Sequence, residues 1–176
     1  ISILSDASQF VVEPNVTVSP LNFHIIRSSS ADAIVNLQDS FSILNIQERI
    51  LVDIPSICCS YSAARVIGKG FIIFGTRDSA HVIWHQTPDN TQILIQDPVR
   101  VIVPEYVSMK FDWAYSIISP SFMTISGSGK IINYGTLNIA PGVHTRFSEG
   151  LTLINYGELG MECDGDVETA RADAVR

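Results

Sequence analysis

His81 and His85 lie four residues apart, the spacing that sets two imidazoles side by side on a helix. A metalloprotease helix would also carry Glu directly after the first His, and Val82 stands there. The intervening Val82, Ile83 and Trp84 favour a strand, on which residues four apart are about 13 Å distant, too far for one metal ion. His24 and His144 stand alone. Gly127-Ser128-Gly129-Lys130 imitates the end of a phosphate loop. Thr124 occupies the place of that motif's first glycine and Ile131 that of its Ser or Thr, so the motif is not met. No Gly-x-Ser-x-Gly nucleophile elbow occurs. The acids Asp53, Asp78, Asp97, Glu105 and Asp112 fall in no recognisable catalytic motif.

Glu162, Asp164, Asp166 and Glu168 alternate, and an extended chain would put their carboxylates on one face. Glu162, Asp164 and Asp166 are thus a weak candidate set of hard oxygen ligands for Ca²⁺. The plainer expectation is a solvated acidic end, since residues 158–176 hold six acids and two arginines. No other metal and no cofactor is expected. Cys58 and Cys59 are adjacent and Cys163 is distant, with no zinc spacing among them. Neighbouring cysteines rarely bridge each other, so free thiols are expected, with a bridge from Cys163 to one of the pair as the alternative. Trp113, Tyr115 and Trp84 are the rings that, if exposed, would offer platforms to a sugar.

The elements that must position these groups are strands. The 176 residues suffice for one domain and are 46% apolar but only 16% charged. Ile (24) and Val (15) outnumber Leu (10), which is a strand-forming bias. The net charge of −7, with three lysines, argues against a nucleic-acid partner. No apolar run approaches the ~20 residues of a membrane helix, so no membrane span is expected. Turn signals recur every eight to twelve residues, the spacing of sandwiches, barrels and solenoids. The expectation is a single all-β domain over residues 1–165 followed by an acidic tail over 166–176. Residues 33–37 and 41–46 read as a hairpin, and short helices are the alternatives for 42–50 and 60–66.

The most specific feature is a repeat. Ile132-Asn133-Tyr134-Gly135-Thr136-Leu137 recurs, with one change in six positions, as Ile154-Asn155-Tyr156-Gly157-Glu158-Leu159. A weaker echo links residues 68–76 to 127–136. A period in the low twenties suits one coil of a parallel β-solenoid. Asn133 would then stack on Asn155 and Tyr134 on Tyr156, in ladders like those of other in-register arrays. Gly135 and Gly157 would supply corners at positive φ. Ile132, Leu137, Ile139, Ile154 and Leu159 would face the interior. The fold class expected is therefore all-β, with solenoid-like coils over 121–161 joined to further strands. A β-sandwich or jelly roll is the alternative.

The strings 129–139 and 150–159 resemble the rungs of right-handed β-helices found in phage tail fibres, tailspikes and bacterial surface adhesins. That resemblance implies a virion or extracellular location, and surfaces that hold glycans or neighbouring subunits. The reading is a non-enzymatic structural protein that assembles as a homo-oligomer or with other structural subunits. A carbohydrate-binding or carbohydrate-cleaving module is the alternative.

Overall fold

Alternation of buried and outward residues is the rule that builds this molecule. A computed structural model describes residues 2–5, 9–27, 33–53, 63–75, 80–86, 92–113, 122–148, 150–161 and 166–169. The described strands follow a three-strand cycle. The first coil is β1 (Ser2–Ser5), β2 (Gln9–Val12) and β3 (Thr17–Val18). The second is β4 (Asn22–Arg27), β5 (Ala33–Leu37) and β6 (Ile43–Ile46), and the third β7 (Arg49–Asp53), β8 (Ala63–Gly68) and β9 (Phe71–Phe74). The fourth is β10 (His81–Gln86), β11 (Gln92–Ile95) and β12 (Arg100–Val103). The fifth is β13 (Ser108–Trp113), β14 (Phe122–Gly127) and β15 (Lys130–Asn133). The sixth is β16 (Thr136–Ile139), β17 (His144–Phe147) and β18 (Thr152–Asn155). A seventh begins with β19 (Glu158–Met161) and β20 (Asp166–Thr169).

Every described strand pairs in parallel with its counterpart in an adjacent coil, giving sheets of seven, seven and six strands, here A, B and C. The chain is an all-β solenoid. A parallel pair needs a crossover, and here the crossover is the rest of the coil. Residues 166–169, which the sequence places at the start of the acidic tail, pair as β20 with β17.

The spacing of the sequence repeat carries Lys130 onto Thr152 and Thr136 onto Glu158. Most earlier coils are longer, and the longest step runs from Arg49 to Ile83. Between successive A and B strands the chain spans 28–32, 54–62, 87–91 and 114–121, so much of the extra length enters at that corner. The hairpin expected of 33–37 and 41–46 does not form. β5 and β6 lie in different sheets and pair with their counterparts one coil away. Nor is there a helix over 42–50, where Gln47 and Glu48 join β6 to β7. Residues 63–66 belong to β8.

The interior is filled by columns of side chains running along the axis. One column of sheet A is Phe23, Ile50, Trp84, Phe111 and Ile139. Trp84 meets Phe74 of sheet C and Phe111 at centroid distances of 6.0 and 5.5 Å. In sheet C the inner column is Val18, Leu44, Ile72, Val101, Ile131 and Leu153. Ile131, not Ile132, therefore faces inward, and Ile132 and Ile154 point out. A period of two leaves no choice once Asn133 is inside, since a one-residue shift moves the whole strand to the other face. Leu137 and Ile139 are buried as expected, whereas Leu159 is exposed on the last coil.

Glycines mark where coils touch. Gly68 and Gly127 end β8 and β14 at φ values of +103° and +108°, and a Cβ there would strike the carbonyl oxygens of Leu37 and Ile95 one coil below. This common role explains the faint echo between 68–76 and 127–136. Gly135 and Gly157 are absent from the positive-φ positions, which corrects the expectation for them. Their constraint is close approach: a Cβ on Gly135 would fall on the carbonyl oxygens of Pro104 and Val107, and one on Gly157 on that of Gly135.

Candidate functional site

The repeat places its residues at the corner between sheets C and A. Asn133 is fully buried. Its Nδ2 donates to Asn155 Oδ1 at 2.7 Å and to the carbonyl of Glu158 at 2.9 Å, while Asn155 Nδ2 donates to the carbonyl of Gly157 at 3.1 Å. These bonds tie the last corner to the coil beneath it. Outside the corner the Tyr134 and Tyr156 rings stack at 5.3 Å with a 12° interplanar angle. Both are exposed, Tyr156 more so.

Tyr106 projects from the same corner one coil earlier and is also exposed. Beside it is a pocket of about 250 Å³ lined by Ala80, His81, Glu105, Tyr106, Val107, Ser108 and Thr136. Three of its polar residues, His81, Ser108 and Thr136, belong to an outward column of sheet A that Glu158 continues, while Glu105 and Tyr106 come from the turn between sheets C and A. Thr136 Oγ1 lies 3.5 Å from Glu158 Oε2. Two hydroxyls, an imidazole and a carboxylate thus form an axial ladder beside an edge of tyrosines. Such a surface can donate and accept hydrogen bonds and pack against an apolar ring face.

Sequence reasoning expected the Tyr134–Tyr156 stack and also singled out Trp84, Trp113 and Tyr115 as platforms for a sugar. Trp84 is fully buried, because it shares the inward phase of Val82 and Gln86 on β10, and it can contact no ligand at the surface. Trp113 ends β13 with its side chain outside the described residues, and Tyr115 lies outside them altogether. Cys58, Cys59, Cys163, Glu162 and Asp164 also lie outside the described residues, and of Asp166 only the backbone in β20 is described. His81 and His85 share a strand, as their neighbours required, and among the described residues no group of three or more His, Cys, Asp or Glu could hold a metal. Among those residues no helix is long and apolar enough to cross a membrane. Missed at the sequence level was the ladder from His81 to Glu158. Its members follow one another at unequal separations along the chain, so no fixed period reveals them.

A second outward column of sheet A carries His24, Leu51, His85 and Asp112. Burial lowers the pKa of both histidines below 6.5, and the positive charge of Arg49 adds to this, while Asp112 opposes it at His85. With folded values below the unfolded one, the unfolded chain takes up protons first on acidification. The stabilisation is present above the unfolded pKa of about 6.5 and is lost as pH falls through the lowered values. The melting temperature should therefore fall between about pH 7 and pH 5. The double variant His24→Gln/His85→Gln should flatten that profile, and an equally steep fall would exclude these two groups as its source.

On sheet C the outward column is Asn45, Ile73, Ile102, Ile132 and Ile154, flanked by the column Thr17, Ile43, Phe71, Arg100, Lys130 and Thr152. The four isoleucines of the first column are half-buried, although they point away from the core. Exposed Val16 and Phe41 border this sheet at one corner, and Leu21, Tyr106, Tyr134 and Tyr156 at the other.

These features define the class of protein: a parallel β-solenoid with three strands per coil. Comparison of the chain with protein-family models, with curated proteins and with solved structures returns no match.

Proposed function

We propose that this solenoid is a non-enzymatic structural element of a virion, phage tail or extracellular surface assembly, which packs through sheet C against a second copy of itself. The observation that carries this reading is the outward ladder Ile73, Ile102, Ile132 and Ile154, with Ile43 and Phe71 beside it. A sheet face left in water ordinarily alternates apolar-in with polar-out, and a contiguous apolar patch marks a surface that is covered in use. A second copy suits the patch because repeated identical residues interdigitate with their own image, as in stacked sheets. Charge agrees. Antiparallel packing about a two-fold axis sets coils four and five of one copy against coils three and two of the other. Arg100 then meets Phe71 and Lys130 meets Ile43, so no like charges oppose. Within one chain Arg100 already lies over the Phe71 ring, 5.8 Å from its centroid.

The test is the molar mass in solution by size-exclusion chromatography with light scattering. A stable oligomer, unaffected by reductant, is expected. A single species at 19.3 kDa across the micromolar range would overturn the reading. The tyrosine edge and the pocket beside it favour a second reading, in which the same rod binds carbohydrate.

A further inference from the structure

We propose that the corner between sheets C and A binds a neutral glycan chain lying along the solenoid axis, an inference that rests on the carbohydrate-binding reading and assigns its site and ligand class. The site is the ladder His81, Ser108, Thr136 and Glu158, edged by Tyr106 and the stacked Tyr134 and Tyr156.

Three observations converge on an elongated, hydroxyl-rich ligand. The polar groups recur at the interstrand spacing of about 4.8 Å, close to the advance of one sugar in an extended chain, so successive residues of a polymer would meet successive coils. The pocket at Tyr106 gives such a chain a fixed point: its approximately 250 Å³ is the size of a single sugar subsite rather than of a whole oligosaccharide. Aromatic side chains lie beside these donors and acceptors, and Tyr106, Tyr134 and Tyr156 are all exposed without being part of the core. A sugar presents to such a surface an apolar face of C–H groups and a rim of hydroxyls, which matches ring and ladder together.

Charge selects the class of glycan. Glu105 lines the pocket, Glu158 ends the ladder, and the whole chain carries −7. Carboxylates accept hydrogen bonds from hydroxyls strongly but repel uronate, sialyl or sulfate groups. A neutral chain is therefore admitted and an acidic one rejected.

The experiment is calorimetric titration of the intact protein with cellohexaose, maltohexaose and chitohexaose, with hexagalacturonate as the acidic probe. Saturable binding of at least one neutral hexasaccharide is expected, with hexagalacturonate at least tenfold weaker. Tyr106→Ala and the double variant Ser108→Ala/Thr136→Ala should each weaken binding tenfold or more at unchanged melting temperature. Thr124→Ala, on the outward face of sheet B, should leave it unchanged. Failure of all three neutral probes to bind would overturn the carbohydrate reading together with this site. Neutral binding that survives both corner variants would overturn the site while keeping the carbohydrate reading. Hexagalacturonate binding as tightly as the neutral probes would overturn the assignment of ligand class.

Discussion

Trp84→Ala should destabilise the solenoid by about 3–5 kcal/mol, the range for deleting a large buried aromatic side chain. Trp84 is the largest fully buried side chain among the described residues and sits in mid-column, with Ile50 below it and Phe111 above. It also reaches Phe74 in sheet C, so it links two sheets as well as three coils. Truncation leaves a void whose walls are backbone held by parallel ladders on both sides, which cannot collapse into it cheaply. For a chain of this length each kcal/mol moves the melting temperature by roughly 2–4 °C, so a fall on the order of 10 °C is expected. Trp84→Phe keeps most of the volume and should cost well under half as much, since Nε1 has no hydrogen-bond partner to lose. Urea denaturation of the three proteins checks this. A loss below about 1 kcal/mol for Trp84→Ala would mean that the ring is not in the core.

Gly135→Ala should be comparably damaging for a different reason. The added methyl group would fall on the carbonyl oxygens of Pro104 and Val107, which are backbone and cannot swing aside. Val107 O accepts from Thr136 N at 2.9 Å, and Pro104 O accepts from Val107 N at 3.0 Å. Relief of the clash separates coils four and five at this corner and breaks the first of those bonds. Overpacking of about 1–3 kcal/mol and a lost buried bond of about 1–3 kcal/mol together give a cost near 3 kcal/mol or more. Gly142→Ala is the control. Gly142 has a φ of +69°, but a Cβ there meets nothing within 4 Å, so backbone strain alone should cost about 1–2 kcal/mol. Equal losses in the two variants, measured by denaturant titration, would contradict a contact between coils at Gly135.

How much of this was legible beforehand depended on where the coils are short. Strand type came from the two-residue alternation of Ile and Val, which survives any loop length. Stacking order came only from residues 132–159, because there the period is constant and the same string returns. Elsewhere the register shifts with each corner: Gln92 faces Ala63 in the coil before it and Thr124 in the coil after it, at unequal separations along the chain. Inside and outside were harder still. Ile131 and Ile132 are chemically the same, and the phase is set by Asn133, a polar residue that goes inward because Asn155 and the Glu158 carbonyl accept its hydrogen bonds. The candidate site was hidden by the same logic. Trp84 drew attention as a ring between two histidines, yet alternation turns it inward. Ile132 and Ile154 read as core, since nothing in their type separates an inward isoleucine from an outward one.

The outward isoleucines carry the functional account, and one pair of substitutions tests them directly. Ile102 and Ile132 are neighbours at the middle of the sheet C ladder and half-buried. Replacing both with lysine places two positive charges beside Arg100 and Lys130, where a covering copy would have to desolvate them. The measurement is the molar mass of the Ile102→Lys/Ile132→Lys variant beside that of the unchanged protein. The account predicts an oligomer for the unchanged protein and a 19.3 kDa species, close to the chain mass, for the variant, with the β-sheet circular dichroism of both alike. An oligomer of undiminished mass in the variant would contradict assembly through sheet C.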